Sequence, residues 1–93
     1  ILWLHSGMWP WAATTPGDLT PEAFARVIAE REAIDILLVG TGRDLLPLSA
    51  PLREALRAAG LRADPMSTGN ALRTWNILLG ERRRVAAALL AVD

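Results

Sequence analysis

The sequence contains no cysteine, no lysine and a single histidine, His5. Without cysteine the chain has no disulfides, no thiolate zinc site and no thiol nucleophile, and its redox compartment is left open. A Ser-His-Asp arrangement is excluded unless it uses His5. The phosphate-binding Walker motif is excluded because it requires a lysine. We therefore predict no catalytic residues, no metal site and no cofactor.

The sequence has no excess of charge and no long apolar run. All ten basic residues are arginine, and ten Asp and Glu bring the formal net charge to zero. This balance provides no basic surface for nucleic acid, and a solvated turn accounts for Arg82–Arg84. The longest apolar run spans residues 85–92, whereas a membrane span needs about 20 residues. We therefore expect a soluble, cytoplasmic protein that neither binds nucleic acid nor spans a membrane.

The size and composition fit one domain with a packed core, because the chain has 93 residues and is 52% hydrophobic. The chain opens in an apolar run, Ile1–Leu4, which is too short for a signal peptide and has no basic residue before it. We interpret this run as a strand. We expect residues 1–93 to form a single domain that lacks its N-terminal strands.

Strand and helix signals alternate along the rest of the chain. The predicted strands are 1–4, 34–39, 61–66 and 85–92, and the predicted helices are 20–32, 49–60 and 67–80. Residues 6–18 are expected to form a loop or irregular strand. Pro65 predicts a sheet edge or bulge because it has no N–H to donate, and the fully apolar run 85–92 predicts a central strand. The alternation indicates a mixed α/β domain with one sheet covered by helices.

Two glycine-containing segments form a candidate ligand site. Gly40-Thr41-Gly42 follows a strand, but Leu45 stands where the dinucleotide-binding fingerprint needs its third glycine. The segment is then either a structural turn or an anion site beside Arg43. The helix start at Thr68-Gly69-Asn70 is either an ordinary cap or a second anion site. If the sheet brings both segments together, they form one crevice at strand ends, with the candidate residues Gly40, Thr41, Gly42, Arg43, Thr68, Gly69, Asn70 and Asn76.

Asn76 is predicted to flank the buried stripe of the third helix. A buried amide needs hydrogen-bond partners. We therefore interpret Asn76 as a structural amide that holds a neighbouring loop rather than as a catalytic residue. The stripe itself is predicted to comprise Ala71, Leu72, Trp75, Leu78 and Leu79.

The segment around Trp9-Pro10-Trp11, with Met8 before it, is the most unusual apolar feature. Two tryptophans in a proline-containing loop either cover the core or form an aromatic patch that binds a partner. Met8, Trp9 and Trp11 are therefore the candidate partner-binding residues.

Two segments resemble a known family: residues 38–42 with 46–48, and residues 66–71 with 73–79, 81 and 83–89. The pattern is similar to the Mth-type domain family of bacteria and archaea. That family also includes mitochondrial complex I assembly factor 3 and the adipogenesis-associated Mth domain-containing protein. The resemblance implies three layers, with a central mixed sheet in which one strand runs antiparallel. The sequence departs from the family pattern at Pro65 and at Arg82, where a glycine is usual.

The resemblance supplies no reaction, and the mitochondrial member acts as a scaffold through protein contacts. We therefore expect a non-catalytic protein-interaction or assembly-factor-like module that binds another protein. The alternative is a domain that binds a small ligand or an anion in the glycine crevice. An enzyme would fall under this alternative. The sequence leaves homo-oligomers open.

Overall fold

The computed structural model describes residues 1–11 and 13–91. Within these residues the strands are β1 Leu2–Leu4, β2 Gly7–Trp9, β3 Ile36–Gly40, β4 Arg62–Met66 and β5 Val85–Leu89. The α-helices are α1 Ala25–Ala29, α2 Ala50–Ala58 and α3 Thr68–Gly80. Single 3₁₀ turns occur at Pro16–Asp18, Glu22–Phe24 and Arg31–Ala33.

The strands form one sheet in the order β2-β1-β5-β3-β4. Strands β3, β4 and β5 are parallel, and β1 pairs antiparallel with both β2 and β5. Among the described strands β1 therefore runs opposite to the rest, which confirms the predicted mixed sheet. Every residue of β5 is buried, as a central strand requires, and Pro65 lies in the edge strand β4. Both sequence predictions about these strands are confirmed.

Helices cover the sheet on both faces, so the domain has the three predicted layers. Alternate residues of a strand point to opposite faces, and β5 divides in this way. Ala86 and Ala88 pack with residues of α1 and α2, whereas Ala87 and Leu89 pack with residues of α3. We call these two sides the α1/α2 face and the α3 face.

The predicted helix over 20–32 is shorter in the structure than its sequence pattern indicates. Thr20 Oγ1 accepts a hydrogen bond from the Ala23 N–H at 3.3 Å, as expected of a cap, but regular helix is confined to Ala25–Ala29. The helix ends at Glu30, whose carboxylate accepts a 2.6 Å hydrogen bond from the Ser6 hydroxyl. The helix thus ends earlier than its helix propensity predicts, and it ends at a residue that makes a tertiary contact.

Strand β2 lies within the segment that was expected to be loop or irregular strand. It has three residues and pairs with β1 through a turn at His5 and Ser6. Gly7 has a φ of +126°, a conformation that other residues rarely adopt. Strand β5 ends at Leu89, earlier than predicted, and Val92 lies outside the described residues.

Candidate functional site

The two glycine-containing segments are adjacent in the structure, which meets the condition that the sequence analysis set for a single crevice. They meet at the carboxyl ends of the parallel strands, where open α/β sheets commonly bind ligands. The Thr68 N–H donates to the Gly42 carbonyl at 2.8 Å, and the Gly42 N–H donates to Thr68 Oγ1 at 3.0 Å. The Thr68 hydroxyl in turn donates to the Leu90 carbonyl at 2.7 Å. This buried threonine therefore ties the glycine loop, the start of α3 and the end of β5 together.

The glycines of the loop have identifiable packing and backbone roles. A Cβ on Gly40 would lie 2.8 Å from Thr68 Oγ1 and 3.0 Å from Thr68 Cα. These separations are closer than atoms of a packed interior allow, so α3 can approach β3 only over a glycine. Gly42 has a φ of +95°, which supplies the predicted left-handed turn. Both positions are explained by structure alone.

A cleft of about 240 Å³ opens beside this loop. Its lining residues are Thr14, Pro16, Thr41, Gly42, Arg43, Asp44, Leu46, Leu90 and Ala91. Two hydrogen-bonding groups of its lining, the Thr41 hydroxyl and the Gly42 N–H, are already used within the protein. The Thr41 hydroxyl accepts from the Leu46 N–H at 3.1 Å and bonds to the Asp44 and Met66 carbonyls, and the Gly42 N–H is bonded to Thr68. The cleft has room for a small ligand, but these two groups already have hydrogen-bond partners within the protein.

The remaining candidate residues of the crevice lie outside the cleft lining. The Asn70 N–H donates to Ser67 Oγ at 3.4 Å, which is ordinary capping geometry, and nothing lies within 4 Å of a Cβ built on Gly69. Asn76 is exposed, so the prediction of a buried amide at this position is wrong. The inward stripe of α3 is narrower than predicted, because Leu72 and Leu79 are 37% and 48% exposed.

The Met8–Trp11 segment is divided between the two faces of the sheet. Met8 is 62% exposed and stands opposite Trp3 in the β1–β2 pair, on the α3 face. Trp9 and Trp11 are half-buried and pack on the core of the α1/α2 face. Met8 is therefore separated from the two tryptophans by the thickness of the sheet.

The indoles of Trp9 and Trp11 are each fixed by a specific contact. Trp11 Nε1 donates to the Ala23 carbonyl at 2.8 Å, and its ring meets Phe24 edge-on with centroids 5.3 Å apart. The Arg26 guanidinium lies 3.8 Å from the Trp9 ring centroid. These contacts show that both rings cover the core, while a further role in binding a partner stays a prediction.

The α3 face carries an apolar groove that the sequence did not reveal. We call it the β1–α3 groove and define it by Trp3, Met8, Leu72, Trp75 and Leu79. Three shallow depressions of about 400, 290 and 260 Å³ follow one another along it, and neighbouring depressions share Trp3 or Trp75. The two shared indoles lie with centroids 5.0 Å apart. The groove exists because α3 packs against β3, β4 and β5, which leaves the β1–β2 part of this face open.

One buried polar atom in the groove lacks a partner. Among the described residues, Trp3 Nε1 has no hydrogen-bond acceptor although the atom is buried. An unpaired buried donor costs about 1–3 kcal/mol. The other two tryptophans of the β1–β2 hairpin segment, Trp9 and Trp11, both have acceptors. The α3 face is thus the side on which a tryptophan is left unsatisfied.

Two carboxylates have pKa values below their ordinary range, and both hold local structure. Hydrogen bonds from the Thr14 and Thr15 N–H groups lower the pKa of Asp18, which lies at the 3₁₀ turn. Arg84 lowers the pKa of Asp35 by donating to it, with the shorter contact at 2.7 Å. Neither carboxylate lines the cleft or the groove, so these shifts indicate structural ion pairing and capping.

In the described part of the chain no group of three metal-ligating side chains comes together. Among residues 1–11 and 13–91, no helix is both long and apolar enough to cross a membrane.

The strand order, the layers and the tied glycine loop define a small mixed α/β domain. The model of a family described as "Protein of unknown function (DUF498/DUF598)" matches residues 1–90. The chain belongs to this family. A solved member from Bordetella pertussis is described as a Mth938-like domain; it is 29% identical, has a TM-score of 0.82 and covers 97% of this chain and 72% of its own. The resemblance to the Mth-type family is therefore confirmed.

Two further solved structures are similar over nearly the whole chain. An outer membrane protein from Bartonella henselae is 43% identical with a TM-score of 0.91, covering 100% of this chain and 78% of its own. A protein from Rhodopseudomonas palustris is 46% identical with a TM-score of 0.87, covering 99% of this chain and 67% of its own.

Curated relatives include a named assembly factor. NADH dehydrogenase (ubiquinone) 1 alpha subcomplex assembly factor 3 of Danio rerio is 31% identical over 80 residues, 86% of this chain and 46% of that protein. An uncharacterized protein of Rhodobacter capsulatus is 51% identical over 57 residues, 61% of this chain and 46% of that protein. The chain thus spans about half the length of the curated relatives that it matches.

Proposed function

We propose that this chain is a non-catalytic protein-interaction module of the assembly-factor type and that it acts in the cytoplasm. The observation that carries the proposal is the similarity to complex I assembly factor 3, which extends over 86% of this chain. A protein of that name acts on other proteins, so the shared domain is expected to work by protein contacts. The enzyme complex that this chain would serve is not implied by the similarity.

The surface of the domain supports the same function. Binding sites for proteins are usually apolar at their centre and contain aromatic and methionine side chains. Met8 is 62% exposed and Leu79 is 48% exposed, and both belong to the β1–α3 groove. Exposed apolar residues that share one groove are unusual on a surface that meets only water.

The direct experiment is affinity capture of the full-length protein from its own cells, followed by mass spectrometry. The proposal predicts a protein partner in near-stoichiometric amount that survives stringent washing. A parallel capture with Ile77→Ser, an exposed position outside the groove, shows how much of the partner is lost through a change of the surface alone. Absence of any reproducible partner from the wild-type capture would contradict the proposed function.

The alternative function, a small-ligand or anion-binding domain, has one supporting observation. The cleft of about 240 Å³ beside Thr41 and Gly42 is large enough for a few non-hydrogen atoms of a metabolite. Its test is thermal unfolding with a metabolite panel. A ligand at a hundredfold excess over its Kd would raise the unfolding free energy by about 2.7 kcal/mol. A panel without any shift would count against this alternative.

A further inference from the structure

The outer edge of β4 has no neighbouring strand among the described residues, since β4 pairs only with β3 there. The Thr41 N–H donates to the Met66 carbonyl at 2.8 Å, so the backbone polar groups of Met66 point toward β3. These groups alternate in direction along a strand. The backbone groups of Ala63 and Pro65 therefore point outward, away from the sheet.

The position of Pro65 makes this edge selective. Its nitrogen faces away from β3, so the proline removes no hydrogen bond from the sheet, but it leaves the outer edge short of one donor. A strand added here would gain two backbone hydrogen bonds at Ala63 and one at the Pro65 carbonyl. Because the backbone offers so few bonds, side-chain contacts decide which segment binds.

Two arginines of α2 lie beside this edge and have no anionic partner. Arg53 and Arg57 line a depression of about 250 Å³ together with Ala63, Pro65 and aliphatic side chains of the core, among them Leu56. None of the described residues that line it is Asp or Glu. Neither guanidinium makes an ion pair or a hydrogen bond within residues 1–11 and 13–91. Their positive charge is therefore available to an anionic partner.

The two arginines are placed where they repel each other. Residues four apart lie on the same side of a helix, and like charges at this spacing destabilise the helix. The acidic residue of α2, Glu54, does not line the depression and forms no ion pair with either arginine. An anionic partner that meets both arginines would remove this repulsion.

The spacing of the arginines matches that of alternate residues in an extended segment. Residues four apart in a helix are separated by about 6 Å along its axis, and alternate residues of a strand by about 6.6–6.8 Å. The helix of a parallel crossover such as β3–α2–β4 packs back along the sheet. Side chains opposite Ala63 and Pro65 would point to the α1/α2 face, as Ala63 does. Acidic residues at these two positions would each meet one arginine.

A second copy of the chain does not supply such a segment. Of the described strands only β4 contains an acidic residue, Asp64, which lies on the opposite face from Ala63. A nucleic acid fits less well, because the net charge is zero and the depression has no aromatic ring on which a base could stack. A protein segment with alternating carboxylates fits both the edge and the charge.

We propose that the outer edge of β4 binds an extended acidic segment of a partner protein as an additional antiparallel strand. Carboxylates at two alternate positions of the segment pair with Arg53 and Arg57, and its backbone bonds to Ala63 and Pro65. The proposal rests on the proposed function as a protein-interaction module and names a surface and the chemistry of its partner. This edge and the β1–β2 part of the sheet lie on opposite sides of β5 and β3, so separate variants test this edge and the β1–α3 groove.

The test is a titration of the isotope-labelled chain with synthetic peptides of about seven residues. The probe peptide has glutamate at two alternate positions in a background of threonine and valine. A first matched peptide has the two glutamates adjacent, so that only one of them faces α2, and a second has lysine at both positions. We expect the probe to move the guanidinium signals of Arg53 and Arg57 and to shift the Ala63 N–H in the direction of hydrogen bonding. At low salt it should bind about tenfold more tightly than the lysine peptide and about threefold more tightly than the peptide with adjacent glutamates.

Variants of the protein and of the peptide separate the charge contacts from the backbone contacts. Arg53→Gln together with Arg57→Gln, both at exposed positions, should weaken binding of the probe about tenfold. The control Arg73→Gln, an exposed position of α3, should change it less than about twofold. A probe methylated at both glutamate nitrogens keeps its charges but has no donors for the Ala63 and Pro65 carbonyls, and it should bind at least tenfold more weakly.

Several results would overturn the proposal. Equal binding of the probe and the lysine peptide would do so, as would equal binding of the probe and its methylated form or a shift of the Met8 N–H in place of Ala63. Tighter binding of inorganic phosphate or oligouridine than of the probe, lost in the double arginine variant, would assign the arginines to phosphate instead. If the double variant captures every partner of the wild type, the proposal is wrong while the proposed function stands. Absence of any partner in the wild-type capture would remove the proposed function as well.

Discussion

The two faces of the sheet differ in how completely their apolar side chains are buried. On the α1/α2 face large side chains such as Phe24, Leu52 and Leu56 are at most 1% exposed, and two indoles close the edge of the core. On the α3 face Leu38, Ala71 and Ala87 are fully buried at the centre, and apolar residues farther out, such as Leu72 and Leu79, remain partly in water. The α1/α2 face is thus a closed core, whereas the α3 face has an open apolar groove at one side.

This difference indicates how a small domain combines stability with recognition. A chain of this size buries only about 60–65% of its unfolded surface, and in this domain the larger buried cluster lies on the α1/α2 face. The other face is then free to keep apolar groups accessible. The comparison predicts that substitutions on the α1/α2 face change folding, whereas substitutions in the β1–α3 groove change binding.

The largest effect is expected at Phe24. Truncation of Phe24 to alanine removes a fully buried ring that also contacts Trp11, and it should lower the unfolding free energy by about 3–5 kcal/mol. Ile77→Ala on the α3 face, where the side chain is 62% exposed, should change it by less than about 0.5 kcal/mol. Chemical denaturation measures both. Similar losses at the two positions would contradict the division between the faces.

A smaller loss is expected at Gly40. The methyl group in Gly40→Ala would meet Thr68 at 2.8 Å, so α3 must move away from β3 at a cost of about 1–3 kcal/mol. Gly69→Ala is the matched control because nothing lies within 4 Å of its new Cβ. It should be neutral or stabilising by up to about 1 kcal/mol. A Gly40→Ala protein as stable as wild type would refute the close approach of α3 to β3.

A pair of tryptophan substitutions should differ in their effect on stability. Trp11→Phe removes a hydrogen bond to the Ala23 carbonyl and should cost about 1 kcal/mol. Trp3→Phe removes a buried donor that has no acceptor, and it should leave stability unchanged or raise it by up to about 1 kcal/mol. Thermal and urea unfolding measure both. A clear loss in Trp3→Phe would show that its indole N–H is satisfied in the free protein.

The smallest effect is a pH dependence at Asp35. Arg84 lowers the pKa of Asp35 in the folded chain, so this ion pair contributes its full stability above the ordinary carboxyl pKa of about 3.9. The contribution is lost as the pH falls through the lowered pKa. Asp35→Asn should therefore be less stable than wild type near neutral pH, and the difference should disappear in acid. Glu54→Gln, an exposed position of α2, is the matched control for the change from acid to amide.

The sequence predicted the features that depend on local chemistry. The predicted helix starts at residues 49 and 67 are confirmed, since Ser49 and Ser67 each cap a helix by accepting a hydrogen bond from the N–H three residues later. The edge position of Pro65 and the central position of β5 followed from a missing donor and an uninterrupted apolar run. The juxtaposition of Gly42 and Thr68 was raised only as a condition, and it is met because β3 and β4 are parallel and end at the same edge of the sheet.

The features that the sequence did not reveal depend on tertiary arrangement. Leu72 and Leu79 have the spacing of core residues, but they lie at the side of α3 where no second helix of the described residues covers the sheet. Residues adjacent in sequence, Met8 and Trp9, were grouped together, although neighbouring strand residues point to opposite faces. That alternation was available only once β2 was recognised, and a three-residue strand gives too short a pattern.

The central claim is that folding and recognition lie on opposite faces of one sheet. Its most direct test measures partner capture and unfolding together in full-length protein that carries Leu72→Ser with Leu79→Ser. The account predicts that the captured partner is lost while cooperative unfolding is retained, with a melting temperature lowered by only about 4–8 °C for each kcal/mol lost. A variant that unfolds cooperatively and still captures the partner at the wild-type level would contradict the account.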